Sequence, residues 1–567
     1  MTEVHKPLSL PVIVEQWKET GSALADSLSS YLDSCLLLSK ASENTGVNRS
    51  DLISHFDSAL QPGALLTTLS EQLAKSREVL SKARNKLASP IYNFPPEILS
   101  KIFLYFVEDD SDSPTYVEFT VRTFYHRVHT LLGVCSVWRN VGISMPHLWN
   151  LVPVIRDVCF TLSWQATSLS LRRSKTLPLD LAVMIPHVVP ERLAARLAKH
   201  ASRFRTINIS AEEPCTIQEI MDPLLNRNVC DSLTELSLCV SDLEQLDRLD
   251  NHPYYMFSLR SPTHPLLVEL LQSITRFRLF GATLDWSQVT FSARMVEIRI
   301  HSVIIGGDSV LHELIRSLST APELQKLELA SITSFPADDL DDIPPIVLPK
   351  LKSLVLEDLY FNTLSTVLHS IAPLSQQLSL CLTDRSIEKI FSARDPDLER
   401  ETISVYDLID ELKGVSIHTL LLANRDRSFK YLELAFLLKA VSPLNTLKIN
   451  NWTIDQIICG ILQRRKYGPT GHVQPPVIKL RNLHLTNARI ADQEGLKDTI
   501  RVQGLEAVLL GGYINCASEE PEEPEDWEPL EGEEEIVKWL ADHVPTFHFM
   551  PGGDYRPPEL LSAICHL

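Results

Sequence analysis

Leu324-Gln-Lys-Leu-Glu-Leu329 is the clearest copy of a pattern that fills the middle of this chain: apolar, two residues, apolar, one residue, apolar. Its last two apolar residues are two positions apart, which is the period of a β-strand that buries one face. Ten copies begin at Phe204, Leu233, Ile274, Met295, Leu324, Leu351, Ile417, Leu444, Leu480 and Leu505. Upstream, Leu177 to Val183 alternates in the same way, so we predict an opening strand there.

The spacing of these copies bears on the fold class. Successive copies start 21 to 41 residues apart, except for one gap of 66 in which we expect a weaker copy at Leu378, Leu380 and Leu382. Repeats of roughly 20 to 29 residues with this pattern are typical of leucine-rich repeats. The sequence therefore predicts an α+β or α/β repeat architecture, with an irregular leucine-rich-repeat solenoid over residues 152–517. A mixed globular α/β domain is the alternative, because the intervals are irregular.

The residues that alternate with the buried ones predict where a target protein binds. In a solenoid they point to the concave, solvent-facing side of the sheet. We expect the target-binding residues to include Arg276, Arg278, Arg299, His301, Lys326, Lys448 and His484. The cluster of Arg276, Arg278 and Arg299 suits an acidic or phosphorylated segment of a target. The alternative is a solvated face whose charges are balanced by neighbouring glutamates.

A second informative stretch is Phe94-Pro-Pro-Glu-Ile-Leu99. A residue that precedes a proline is driven out of helical geometry, whereas Pro96 suits a first helical position and Glu97 complements the positive end of a helix. The helix that follows has a wide apolar face: Ile98, Leu99, Ile102, Phe103 and Phe106. A second predicted helix carries Val128, Leu131, Leu132, Cys135 and Trp138. So small a bundle cannot bury all of these side chains, and we expect another protein to cover some of them.

These residues resemble an F-box. The string from Phe94 to Phe103, followed by Leu132-Gly-Val-Cys-Ser-Val-Trp138-Arg139 and Pro146-His-Leu-Trp149, is similar to the F-box-like form abundant in mushroom-forming fungi. In that form a leucine-rich helix also precedes the box. One departure is an acidic and aromatic insertion between Phe106 and Leu131, which is longer than the usual link between the first two helices.

The resemblance implies a function and a set of contacts. An F-box binds the Skp-type adaptor of a Skp–cullin–F-box ubiquitin ligase, and through it a cullin, while the repeats bind a substrate protein. The chain would then be the substrate-recognition subunit; the alternative is a non-catalytic scaffold that acts outside ubiquitin ligases. The residues expected to bind the adaptor or support its surface are Phe94, Pro95, Ile98, Leu99, Ile102, Phe103, Leu132, Val134, Cys135 and Trp138.

Helical and acidic segments flank these two regions. Leu66, Leu73, Leu80 and Leu87 are seven apart and predict a helix with a heptad seam, which either packs on the next domain or pairs with a second copy. Residues 518–535 are too acidic and proline-rich to pack, so we expect an exposed loop before a last helix over 536–543. The predicted division is an N-terminal helical segment (1–62), a heptad-like helix (63–89), an F-box-like domain (90–151), the repeat region (152–517), the acidic loop (518–535) and a C-terminal cap (536–567).

Composition narrows the classes of partner. The 567 residues include 53 Lys and Arg against 72 Asp and Glu, a net charge of -19, which is the wrong balance for a protein that mainly binds nucleic acid. A secretory signal and a run of about 18 apolar residues are both missing, so we expect a cytoplasmic or nuclear protein without membrane contact.

The ten cysteines are scattered, which predicts buried free thiols rather than a disulfide scaffold or a zinc site.

The sequence contains no recognisable active-site motif. G-x-x-x-x-G-K-[ST], G-x-G-x-x-G, G-x-S-x-G and H-E-x-x-H are all lacking. His126 and His129 have a metal-like spacing, but a second pair of ligands is not near them in sequence, so we interpret them as an ordinary pair on a helix. We therefore predict no enzyme activity, no cofactor and no metal.

Overall fold

A computed structural model of the chain describes residues 9–42, 49–60, 65–88, 94–108, 117–155, 164–185, 189, 191–227, 232–241, 255–257, 261–336, 344–373, 377–391, 400–423, 431–441, 444–463, 465–467, 473–476, 479–515 and 527–551. The chain divides into two units, residues 1–96 and 97–567.

The first unit is helical. It contains α1 (Leu10–Ser42), α2 (Arg49–Leu60) and α3 (Leu65–Ala88). Helix α3 confirms the helix predicted from the heptad spacing. Its seam residues Leu73, Leu80 and Leu87 are exposed.

The second unit begins with helices and continues as alternating strands and helices. Its α-helices are α4 (Pro96–Val107), α5 (Val117–Val134), α6 (Ser136–Ser144), α7 (Trp164–Arg173), α8 (Glu191–Ala198), α9 (Pro214–Leu225), α10 (His264–Leu271), α11 (Asp308–Leu318), α12 (Phe361–Ser370), α13 (Val405–Leu412), α14 (Tyr431–Ala440), α15 (Gln456–Gln463), α16 (Gln493–Gln503) and α17 (Glu535–His543). Local caps fix some of these bounds. The Asp492 carboxylate accepts a hydrogen bond from the Gly495 N–H at the start of α16, and Gly504 ends that helix in left-handed geometry.

Twenty-two strands are described in this unit. They are β1 (Leu151–Ile155), β2 (Leu179–Ile185), β3 (Phe204–Ala211), β4 (Glu235–Val240), β5 (Arg276–Phe280), β6 (Glu297–His301), β7 (Ile304–Gly307), β8 (Lys326–Ala330), β9 (Thr333–Phe335), β10 (Ser353–Glu357), β11 (Gln377–Leu382), β12 (Glu388–Ile390), β13 (Arg400–Thr402), β14 (Ile417–Ala423), β15 (Thr446–Asn450), β16 (Thr453–Ile454), β17 (Arg465–Tyr467), β18 (Val473–Pro476), β19 (Asn482–Ile490), β20 (Ala507–Asn515), β21 (Trp527–Pro529) and β22 (Thr546–Phe549).

Sixteen of these strands form one sheet. Its order is β1-β2-β3-β4-β5-β6-β8-β10-β11-β14-β15-β19-β20-β21, with β16 also paired to β19 and β22 to β20. The pairs in this sheet are parallel except β20 with β21, which is antiparallel. The pairs β7–β9, β12–β13 and β17–β18 form three separate two-stranded sheets.

The main core lies between one face of this sheet and the helices that follow its strands. Leu327 and Leu329 of β8 are fully buried, and helix α11 contributes Leu311 and Leu314 to the same core. The arrangement recurs along the sheet because each strand buries alternate apolar residues and each helix buries one apolar stripe. The opposite face of the sheet carries the residues that alternate with the buried ones, and we call it the polar face.

Five strands end in the same unusual conformation. The residue that follows β5, β6, β8, β10 or β15 has a positive φ, and its N–H donates a hydrogen bond to a carbonyl of the next strand in the sheet. These residues are Gly281, Ser302, Ser331, Asp358 and Asn451, and we call them the left-handed column. At Gly281 a side chain would also collide with the Val240 carbonyl oxygen, so this position requires glycine.

The prediction of a leucine-rich-repeat solenoid is wrong. The structure has one 16-stranded, almost entirely parallel sheet packed against helices, which is an α/β fold and agrees with the alternative drawn from the sequence. The strand predictions themselves are confirmed, including the weaker copy at β11 and the opening strand β2. The repeated pattern specifies a strand and its buried side, but it does not specify the segments between strands. Those segments contain helices of 8 to 12 residues and the three small sheets.

Two predictions about the flanking regions also need correction. The predicted second helix of the F-box-like region is two helices, because Cys135 is extended and its Sγ caps α6 by accepting from the Trp138 N–H. Part of the acidic segment packs, since Trp527–Pro529 pairs with β20 and Leu530 is buried; residues 516–526 lie outside the described ranges. The helix predicted after this segment is confirmed by α17.

The cysteines differ from the prediction of buried free thiols in two ways. Cys239 is disulfide-bonded. Cys35 and Cys215 are free but exposed. Cys381 and Cys459 are both free and buried, as predicted.

Candidate functional site

Helix α4 has two apolar faces. Leu99 and Phe103 are buried in the core of a helical bundle, together with Val107 one turn further on. On the other side Ile98 is 44% exposed and Ile102 is 39% exposed. Phe106 and Tyr105 continue that side, and Tyr105 is the most exposed of the four at 81%. We call Ile98, Ile102, Tyr105 and Phe106 the exposed α4 face.

The buried face of α4 is held by the next three helical segments. Val128 and Leu131 of α5 pack in the same core as Leu148 and Trp149. The Phe103 and Trp138 rings lie 5.1 Å apart between centroids. Arg127 donates to the Val107 carbonyl at 3.3 Å, which satisfies one of the free carbonyl groups at the end of α4. The exposed α4 face is thus presented by a helix whose other side is fixed.

The ten residues predicted to bind or support the adaptor have different environments. Those that are exposed are Phe94, Pro95, Ile98, Ile102 and Val134. Leu132, Cys135 and Trp138 are half-buried, whereas Leu99 and Phe103 are buried and support the bundle. Phe94 and Pro95 belong to the first unit, and the other eight belong to the second.

Sequence reasoning missed two exposed aromatic residues in this region. Tyr105 lies three positions after Ile102, so helical spacing places it on the exposed α4 face. Phe119 of α5 is 59% exposed, and it lies in the segment that we identified above only as an insertion. From Val117 onwards that insertion is helical, because α5 begins there.

Helix α5 also contacts the sheet. Val121 packs with Ala182, Cys239 and Phe280, which lie on β2, β4 and β5. The Tyr125 hydroxyl donates to the Leu151 carbonyl oxygen at 2.6 Å and lies 2.7 Å from the Ser170 hydroxyl. Burial raises the pKa of Tyr125 above its ordinary value of 10.0, so this hydroxyl stays protonated. Helix α5 therefore packs both in the helical bundle and against the sheet.

Next to this contact, the polar face carries a network of ion pairs. The carboxylate of Glu297 lies within ion-pair distance of three arginines: Arg276 at 3.7 Å, Arg278 at 3.4 Å and Arg299 at 2.5 Å. They can meet because Arg276 and Glu297 are opposite each other on β5 and β6, as are Arg278 and Arg299. Burial acts to raise the pKa of Glu297, but the arginine charges outweigh it and lower the pKa.

A second carboxylate, Glu328 of β8, extends the network. It lies 3.4 Å from Arg299, 3.0 Å from His301 Nε2 and 3.6 Å from Lys326. Burial would raise the pKa of Glu328, yet the contact with His301 and the neighbouring positive charges lower it to about 2. These contacts therefore favour the ionised form of the Glu328 carboxylate.

The structure brings together five of the seven predicted target-binding residues. Arg276, Arg278, Arg299, His301 and Lys326 all share the network around Glu297 and Glu328. Lys448 lies on β15, four strand spacings or about 19 Å from β8, and His484 lies opposite it on β19, one strand further away. Because Glu235 also pairs with Arg276, the positive charges of the cluster are closely matched by carboxylates. This arrangement favours the balanced face over a site with surplus positive charge.

Among the residues of the described ranges, no group of three or more His, Cys, Asp or Glu is placed to hold a metal ion. His126 and His129 are both exposed on α5. None of the helices in the described ranges combines the length and apolarity that crossing a bilayer requires.

In comparisons with known proteins, the chain matches no protein-family model and no curated protein.

Proposed function

We propose that this chain is the substrate-recognition subunit of a Skp–cullin–F-box ubiquitin ligase, acting in the cytoplasm or nucleus. The observation that carries the proposal is the exposed α4 face, which lies within the stretch whose sequence resembles an F-box. Four large apolar side chains on one side of a short helix are more than a surface normally presents without a partner. Covering them with an adaptor would contribute on the order of 5 kcal/mol before the cost of association.

The polar face of the sheet is the proposed target-binding surface. Its ion-pair network holds the arginine side chains in place, which lowers the entropy lost when they bind a polar segment of a target. The close charge balance of the network suits a target with both acidic and basic groups better than a purely acidic one.

Helix α5 would then set the geometry between the two surfaces. It packs against α4 through Val128 and Leu131 and against the sheet through Val121 and Tyr125. A target on the polar face and an adaptor on α4 would be held at a fixed separation, which raises the effective concentration of the target near the conjugating enzyme. In this scheme the chain itself performs no chemistry.

The direct test is binding of a purified Skp-type adaptor from the same organism to the parent chain and to two variants. Ile102→Asp places a charge in the centre of the exposed α4 face, and His126→Asp places one on an exposed position of α5. Circular dichroism would establish that both variants are folded. We expect Ile102→Asp to weaken binding at least about tenfold, because burying an unpaired carboxylate is costly. His126→Asp should bind like the parent.

Two outcomes would contradict the proposal. A folded parent that does not bind the adaptor would favour the alternative of a scaffold outside ubiquitin ligases. Equal binding by all three proteins would show that the adaptor does not use the exposed α4 face.

A further inference from the structure

Helix α1, the longest in the described ranges, carries an apolar seam along most of its length. Apolar residues recur along it at alternating intervals of four and three over four heptads, interrupted once by glycine. The seam positions are Leu10, Val14, Trp17, Gly21, Leu24, Leu28, Tyr31, Cys35 and Leu38. This is the spacing of a helix that packs along its length against another helix. We call these nine positions the α1 seam.

The α1 seam is uncovered in the structure. Leu10 is 74% exposed and Trp17 is 54% exposed, while Leu24, Tyr31 and Leu38 are each about two-fifths exposed. A helix usually gains most of its stability from packing an apolar face, and isolated helices are marginal in water. A seam of this length on α1 therefore indicates a packing partner.

We propose that the α1 seam pairs with the same helix of a second copy of this chain. The first argument is area. A helix of 33 residues is about 50 Å long, and a helix is about 10 Å wide. Two such strips facing each other would bury on the order of 1,000 Å², which is the size that a specific interface requires.

The second argument is charge. In a coiled coil the positions on either side of the seam choose the partner through their charges. In α1 these positions are Pro11, Ile13, Lys18, Thr20, Ala25, Ser27, Leu32, Ser34 and Ser39. Only Lys18 is charged, so pairing with an identical helix brings few like charges together. A different partner helix could not be selected through charge, because the positions that flank the α1 seam carry almost none.

The outer side of α1 also supports pairing of two copies. Glu19, Asp26 and Asp33 are seven residues apart and lie opposite the seam. In a pair of identical helices all three carboxylates of each copy point to solvent. The acidic side is thereby kept out of the interface, and it discourages further helices from adding to the outside of the pair.

The test is the mass of the full-length chain in solution, measured by light scattering over a hundredfold range of concentration. A mild reducing agent is present so that Cys35 cannot link two copies covalently. The seam variant is Leu24→Asp with Tyr31→Asp. The matched control is Ser22→Asp with Ser30→Asp, which adds the same charge to the same part of α1 at exposed positions off the seam.

We expect the parent and the control to approach twice 63.9 kDa as the concentration rises, and the seam variant to stay near 63.9 kDa. A parent that is monomeric throughout would overturn the proposal and would mean that another part of this chain, or a different protein, covers the seam. A seam variant that dimerises like the parent would overturn it as well. Adaptor binding does not enter this measurement, so the inference stands or fails separately from the proposed function.

Discussion

Removing the hydroxyl group of Tyr125 should loosen helix α5 from the sheet. Tyr125→Phe keeps the ring but deletes the hydrogen bonds to the Leu151 carbonyl and the Ser170 hydroxyl. Ser170 is fully buried, so its hydroxyl has no water to replace the lost partner. Leaving buried polar groups unpaired costs about 1 to 3 kcal/mol, and we expect about 2 kcal/mol here.

Hydrogen exchange followed by mass spectrometry would measure this loss in the peptide that covers α5. A cost of about 2 kcal/mol corresponds to a roughly 30-fold increase in the opening equilibrium. Tyr105→Phe is the matched control, because Tyr105 lies in the same bundle but is 81% exposed and should change stability by less than about 0.5 kcal/mol. If the two variants exchange at the same rate, the Tyr125 hydroxyl does not anchor α5 and our account of the link between bundle and sheet fails.

Two further predictions concern the sheet. Folding lowers the pKa of Glu328 from 4.5 to about 2. The ionised carboxylate therefore stabilises the folded state above pH 4.5, and this contribution to the free energy of unfolding, about 3 kcal/mol, is lost as the pH falls towards 2. Unfolding measured across this range should therefore show a steeper loss for the parent than for Glu328→Gln, and equal slopes would contradict the assignment. Gly512→Ala should destabilise the fold by at least about 3 kcal/mol, because Gly512 has a φ of 143° and a side chain there would collide with the backbone of Ala488. Gly133→Ala has open space in α5 and should be neutral or stabilising by up to about 1 kcal/mol, and similar unfolding midpoints for the two variants would refute the reasoning.

The strands could be predicted from the sequence, but the segments between them could not. Leu327 and Leu329 show a period of two, and burial on one face is enough to produce it. The segments that connect the strands differ in length and contain different elements, from α11 to the small sheet of β12 and β13. Each helix buries an apolar stripe, but the connecting segments have no common length or order of elements that a repeated pattern could specify. The sequence therefore predicts the strands correctly but not the fold class.

The candidate sites, too, can be predicted from the sequence only in part. Helical spacing alone identifies Ile98 and Ile102 as neighbours on one face. The contact of Arg276 with Glu297 depends instead on the register between β5 and β6, which is set by the whole sheet. The packing of Val121 on Phe280 joins residues that are far apart in sequence, and no periodicity marks it.

The left-handed column has a mechanical consequence. From β5 to β11 each strand is joined to the next by the ladder and by one extra bond at its end. After β11 the corresponding residue is Thr383, whose φ is -119°, and the ladder to β14 shifts its register between Leu378 and Ser379. Among the ladders described from β4 to β15, this one alone is shifted.

Within the part of the sheet from β4 to β15, we therefore expect bending to be easiest between β11 and β14. Arg299 and Lys326 lie on one side of this line, and Lys448 and His484 lie on the other. A molecule that touched both groups would lock the angle between the two halves, whereas one that touched a single group would leave them free to pivot. The elasticity of the sheet, and not only its surface chemistry, would then help to decide which molecules it holds.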